Sequence, residues 1–233
     1  SPIGGPSCYR IAMPSKKKAG ASVNLSRLKV LAAGDEAPFR EHIIELLASG
    51  DRLAREAALE ALLERPLAVR KELRALYDEV DADGSKLDQG CPLRSTTILL
   101  LDKTGDLRDS DIAIRAAATF EKIMKEDVSW RLRTYGLRMI ARVRPELFGY
   151  IGAEHLNPDY EGSPEVVSAV IQLLAATGKE AQVYQWLKTG TRPPEQVAEA
   201  FEILAGAPPE IVERYAHDVI RISLATENDR LAL

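Results

Sequence analysis

Residues 126–147, EDVSWRLRTYGLRMIARVRPEL, hold five arginines, a tryptophan and a tyrosine in a chain whose net charge is −4. At 100° per residue, Arg131, Tyr135, Arg138 and Arg142 follow one another at steps of 4, 3 and 4. That places them within about a 60° sector of one helix face. Guanidinium groups interleaved with an aromatic ring suit binding to another macromolecule, since Arg and aromatic residues are favoured anchors of interfaces. Leu132, Gly136, Met139, Ile140 and Val143 fall on the opposite, apolar face, with Arg133 and Arg144 at its border near Ile140. Trp130 and Leu137 fall further round the helix, past the border of the apolar face. A glycine inside a helix costs about 1 kcal/mol relative to alanine, so Gly136 on the apolar face predicts close approach by a neighbouring helix.

The positive charge is local. Residues 115–144 carry eight Lys/Arg against three Asp/Glu, a net +5, so the remainder of the chain totals −9. The bland alternative is a solvated helix face, or arginines paired with acids of an adjacent element.

Other chemistries find weaker support. In DEVDADGSKLDQG, Glu79, Asp81, Asp83 and Gly84 match positions 1, 3, 5 and 6 of a calcium loop, but the bidentate carboxylate required at position 12 is replaced by Gly90. Asp88 falls two residues early, and an acidic linking loop is the better reading. His42, His155 and His217 have no Cys or His at ligand spacing, so no metal site is expected and each reads as a surface or inter-helix residue. No phosphate-binding glycine loop, nucleophile elbow or Cys/His pair is recognisable, and no cofactor is expected.

The elements that must position these residues are helical. Val69, Leu73, Leu76, Tyr77 and Val80 form one stripe, and Val167, Val170, Ile171 and Leu174 another. The run Thr96–Leu101 is β-like in composition but fits a buried helix equally well. Gly34, Gly50, Gly105, Gly178, Gly190 and Gly206 each close an apolar run and predict left-handed helix stops. Pro66, Pro145, Pro164, Pro194 and Pro209 predict first-turn positions. Together these marks predict helices near 25–33, 36–49, 51–64, 66–81, 94–104, 110–125, 127–144, 145–155, 164–177, 179–189, 194–205 and 209–225. Taken in pairs, the units begin near 51, 92, 127, 164 and 194, spacings of roughly 30 to 41 residues that suit a helical solenoid better than a compact bundle.

The motifs Asp51-x-x-x-Arg55, Asp111-x-x-x-Arg115 and Asp127-x-x-x-Arg131, each followed by a small or apolar helical tail, resemble the Asp and Arg positions of HEAT repeats. The resemblance covers roughly residues 36–225 and implies an all-α, α-α superhelix of about six helix pairs in a single domain, 24–233. The Asp111 and Asp127 copies lie only 16 residues apart, which implies irregular repeats. Residues 1–23 are expected to form a disordered N-terminal tail, or an expression scar preceding a native start at Met13. With 45% apolar and 28% charged residues, two cysteines (Cys8 and Cys91) and no apolar run of membrane-spanning length, the expectation is a cytoplasmic protein with no membrane association.

Two functions compete. A non-enzymatic scaffold would bind an acidic protein partner through Trp130, Arg131, Tyr135, Arg138 and Arg142. The alternative is nucleic-acid binding, because a family of bacterial alkylpurine DNA glycosylases is HEAT-like, of similar length, and uses an Asp with nearby Trp and Arg residues in a basic groove. Asp127, Trp130, Arg131 and Trp186 are residues of those types, although Asp127 also reads as a helix N-cap. Overall acidity opposes a long nucleic-acid footprint. HEAT-like phycobilin lyases, which act on a tetrapyrrole, form a third and weaker comparison.

Overall fold

The computed structural model describes residues 27–189, 192–210, 212, 213, 217, 218 and 221. The expected N-terminal tail, Cys8 and the expected stop at Gly190 lie outside the described residues, as does most of the expected helix over 209–225. Among the described residues the chain is all-α apart from one two-stranded hairpin. It divides into two compact units between Glu72 and Leu73.

In the first unit, residues 27–32 are helical, followed by α1 (Glu36–Leu47) and α2 (Arg52–Glu64). Phe39, Ile43, Leu46 and Leu47 of α1 are buried, as are Ala54, Ala58, Leu59 and Leu62 of α2. Arg65 donates to the carbonyl oxygens of Ala32 and Gly34 and lies over the Phe39 ring. Pro66 does not open a helix: residues 66–69 are non-helical, and α3 begins at Arg70 (Arg70–Asp81). The carbonyl oxygen of Ala68, which a longer helix would use internally, accepts a hydrogen bond from Arg40.

The second unit takes in most of α3 and then α4 (Gly84–Leu87), α5 (Pro92–Thr104), a 3-10 turn (Leu107–Asp109) and α6 (Ser110–Ala117). A hairpin follows, β1 (Lys122–Ile123) and β2 (Glu126–Asp127), with Lys122 opposite Asp127 and Ile123 opposite Glu126. The remainder is α7 (Trp130–Val143), α8 (Pro145–His155), α9 (Pro164–Ala176), α10 (Glu180–Lys188) and α11 (Pro194–Ala205). Pro92, Pro145, Pro164 and Pro194 occupy first-turn positions, where a missing N–H costs nothing. The hairpin corrects the expectation of an uninterrupted helix over 110–125: α6 ends eight residues earlier, at Ala117.

Helices α5, α7, α9 and α11 each pack on the next of that series, while α6, α8 and α10 pack into the intervening positions. The β-branched residues Val166, Val167, Val170 and Ile171 are helical in α9 despite modest propensity, because all four are buried. Thr96–Leu101 is likewise helical, within α5. Of the expected helix stops, Gly105 and Gly178 are left-handed, with φ of 63° and 70°. Gly206 is right-handed at φ −82°, and Gly34 and Gly50 also lie outside the left-handed region. Gly34 and Gly206 instead close their helices with tight bonds to Leu31 and Ile203, which need no left-handed residue.

Candidate functional site

Helix α7 is the centre of the second unit, packing against α5, α6, α8 and α9. Leu132, Gly136, Leu137, Met139, Ile140 and Ala141 are all buried, a wider apolar face than its periodicity predicts because neighbours surround it. Gly136 gives the expected close approach. A Cβ there would meet the Ala113 carbonyl oxygen and the Ala117 nitrogen of α6 at 2.7 Å each.

The arginines of α7 fall into two groups. Arg133, at the border of the apolar face, has no exposed side-chain surface. Its Nε and Nη2 donate to the two oxygens of Glu161, at 2.8 Å each. Nη1 donates to the Thr119 carbonyl oxygen at 3.1 Å, to Ser129 Oγ at 2.8 Å and to Asp127 Oδ1 at 3.1 Å, and Nη2 also reaches Asp127 Oδ2. The guanidinium lies 4.3 Å from the Phe120 ring centroid. His155 Nδ1 donates to Glu161 Oε2 at 2.9 Å, and the Ser163 amide donates to Oε1 at 2.9 Å. Burial pushes the Glu161 carboxyl upward, but the hydrogen bonds from His155, Arg133 and Ser163 outweigh it and hold the group below the usual range. Asp127 is held down in the same way by Arg133 and Ser129, against the effect of burial. Phe120, His155 and Tyr160 pack edge and face over this node. Both carboxylates accept several protein donors, so the arrangement ties β2, α7 and the loop after α8 together.

This geometry corrects one sequence expectation. Asp127 is not the N-cap of α7, which is Ser129; it lies in β2 and pairs with Arg133. Of the two readings open to His155, surface or inter-helix, it takes the second: it is a core residue, 1% exposed. Arg133 and Glu161 were absent from the expected site, and the signal for them was faint: an arginine on the edge of an apolar face, with no indication of its acid 28 residues later.

Arg94 of α5 repeats the pattern. It is buried against Asp88 at 3.1 Å and Glu121 at 2.6 Å, with Asp81 at 3.4 Å. Its guanidinium passes so close to Gly84 that a Cβ there would lie 2.5 Å away. Asp88 also accepts the amides of Leu93 and Arg94, capping α5, so the acidic loop forms helix-capping structure. Burial nevertheless pushes the Asp88 carboxyl up, against those donors, and it raises the neighbouring Cys91 thiol to about 12. Arg74 pairs with Asp109 and Asp111, and Arg115 with Asp78 and Asp81. The motif residues Asp111 and Arg115 therefore both bond across to α3.

The remaining α7 residues form the exposed group. Arg142 and Arg138 share one acid, Asp102 of α5. Arg142 Nη2 is 2.8 Å from Oδ1, whereas Arg138 Nε is 3.8 Å from Oδ2 and its side chain is 62% exposed. The Arg142 guanidinium also lies over Gly105, the C-cap of α5, where positive charge complements the helix dipole. Arg131 is exposed, stacks 5.1 Å from the Trp130 ring and makes no ion pair among the described residues. Tyr135 is half-buried beside them. On this face Arg138 and Arg142 thus share a single carboxylate and Arg131 has none among the described residues, whereas Arg74, Arg94, Arg115 and Arg133 each have two or more.

Trp186 does not join this face: it is 5% exposed, and its indole N–H donates to the Leu156 carbonyl oxygen at 3.0 Å. No helix among the described residues is long and apolar enough to cross a membrane.

No family model, curated protein or solved structure matches the chain.

Proposed function

We propose that the protein is a non-enzymatic interaction scaffold with a HEAT-like repeat architecture. It binds an acidic protein segment on the exposed face of α7, through Trp130, Arg131, Tyr135, Arg138 and Arg142. The observation that carries this reading is the charge imbalance on that face. Elsewhere in the second unit, Arg74, Arg94, Arg115 and Arg133 are each neutralised by two or more carboxylates. Here one carboxylate serves Arg138 and Arg142, Arg131 has none among the described residues, and the surplus is arrayed beside an indole and a phenol at helical spacing. A partner carboxylate would complete pairs the chain leaves open, with Arg supplying planar, forked donors and Trp and Tyr supplying interface area.

The repeat reading is supported by the contact pattern of α5 to α11 and by the span of the long-range side-chain bonds. Arg94–Glu121, Arg133–Glu161, Arg74–Asp111 and Arg142–Asp102 join residues 27 to 40 positions apart, close to one helix pair of a solenoid. In such an array a charged helix face contributes to one extended binding surface.

The test is fluorescence anisotropy with the full chain, using a fluorescein-labelled Glu/Asp-rich peptide and a single-stranded oligonucleotide of equal net charge. The peptide binds, and Arg131→Glu with Arg138→Glu weakens it by at least about tenfold, or about 1.4 kcal/mol. Unchanged peptide affinity in that folded variant rejects the site. Tighter binding of the oligonucleotide than of the peptide replaces the reading with nucleic-acid recognition.

A further inference from the structure

A second site lies away from the α7 face. The C-terminal end of α8 and its following loop face α10 across an open cleft of about 460 Å³, within the range of roughly 300–1,000 Å³ typical of small-molecule pockets. Leu156, Pro158 and Trp186 form its apolar wall, and Gln182, Thr189 and Arg192 its polar side. A smaller cavity of about 210 Å³ adjoins it, sharing Leu156, Pro158, Trp186 and Arg192. Arg192 therefore stands between the two spaces.

The bonding of Arg192 differs from that of the arginines in the folded core. Its guanidinium lies 5.0 Å from the Trp186 ring centroid. The indole is itself anchored through its N–H to Leu156, so the wall beneath the charge is rigid. Nη2 reaches Thr189 Oγ1 at 3.3 Å, a neutral acceptor. Nε is buried with no hydrogen-bond partner among the described residues, as is the Oε1 of Gln182 on the same cleft. No carboxylate stands within ion-pair distance of Arg192 among the described residues, and burial lowers its pKa. A partly desolvated cation over an aromatic wall, with unfilled donors, is complementary to an anion that brings its own apolar body.

We infer that this cleft binds a small organic oxyanion, a carboxylate or a phosphate monoester. Its charged group pairs with Arg192, and its apolar body rests against Leu156, Pro158 and Trp186. The site uses no residue of the α7 face and stands or falls separately from the acidic-partner reading.

The experiment is an NMR titration of the full chain, following the indole N–H of Trp186, assigned by comparison with Trp130→Phe. Benzoate and phenyl phosphate are the two anionic probes, and neutral benzamide is the control. Saturable shifts of the Trp186 signal are expected with at least one anion, with a Kd on the order of 1 mM or tighter. Whichever of the two binds more tightly identifies the source of the oxyanion. Benzamide leaves the signal in place, and Arg192→Gln weakens anion binding by at least about tenfold. The Arg131→Glu/Arg138→Glu variant binds the anions as the parent does. The inference is overturned if neither anion shifts Trp186 up to about 20 mM, if benzamide binds as tightly as benzoate, or if Arg192→Gln retains full affinity. The benzamide comparison uses the parent chain and decides the question even where the Arg192 variant folds poorly.

Discussion

Arg133 and Glu161 meet as a two-bond ion pair with both side chains sealed from solvent, Nε to Oε2 and Nη2 to Oε1 at 2.8 Å each. Asp127 closes the opposite side of the same guanidinium. The hairpin between α6 and α7 is thus clasped twice at its root, since Glu121 holds Arg94 of α5 and Asp127 holds Arg133 of α7. A buried pair contributes little net stability over an apolar one, but removing one partner leaves an uncompensated charge.

Arg133→Met is therefore expected to destabilise the fold by about 3–5 kcal/mol, read as a fall in the urea midpoint. Because Arg133→Met strands Glu161 and Glu161→Gln strands Arg133, the double variant should cost less than the sum of the two. Additive losses would mean that the two side chains do not act as a unit.

Acid should weaken the fold through the same groups. Asp127, Glu161 and Asp111 are each held below their ordinary values by donors that outweigh burial. An acid with a depressed folded-state pKa contributes stability that is complete above its unfolded value, about 3.9 for Asp and 4.3 for Glu. That contribution disappears as pH falls through the folded value. Asp88, pushed up by burial, acts in the opposite sense and is relieved on protonation. Urea midpoints measured from about pH 6 down to about pH 3 should fall, and Glu161→Gln should make the decline shallower. An equal slope in that variant would remove Glu161 from the account.

Gly136→Ala offers a sharp test of the α6–α7 approach. On helix propensity alone the change would stabilise by about 1 kcal/mol. The new Cβ would instead meet backbone atoms of Ala113 and Ala117 at 2.7 Å, which cannot swing aside as a side chain can. A net loss of about 1–3 kcal/mol is expected, and a raised thermal midpoint would show that the helices are not in such contact.

The hairpin turn runs through Met124 and Lys125 with φ of 49° and 76°, a geometry that favours Asn-Gly. Met124 is 95% exposed, so its side chain contributes little packing that substitution would forfeit. Met124→Asn with Lys125→Gly should stabilise by about 1 kcal/mol, measured by thermal unfolding. Destabilisation would mean that the turn is not left-handed at these positions.

Much of the helical frame was legible in the sequence, because apolar spacing and punctuation act locally. The starts at Pro145, Pro164 and Pro194 and the left-handed ends at Gly105 and Gly178 follow from a missing N–H and a missing Cβ. Gly136 disclosed a helix contact for the same kind of reason. The hairpin was not legible: strands of two residues carry no periodicity, and Met-Lys lacks the usual turn signal.

The fate of each arginine was decided by tertiary structure. Arg131 and Arg133 stand two positions apart on one helix, yet one is exposed on an indole and the other is the fully buried hub of Asp127, Ser129 and Glu161. Helical spacing specifies which way a side chain points. Whether its charge is consumed depends on acids brought from 27 to 40 residues away and on the loss of water around them, and neither exists until the helices have packed.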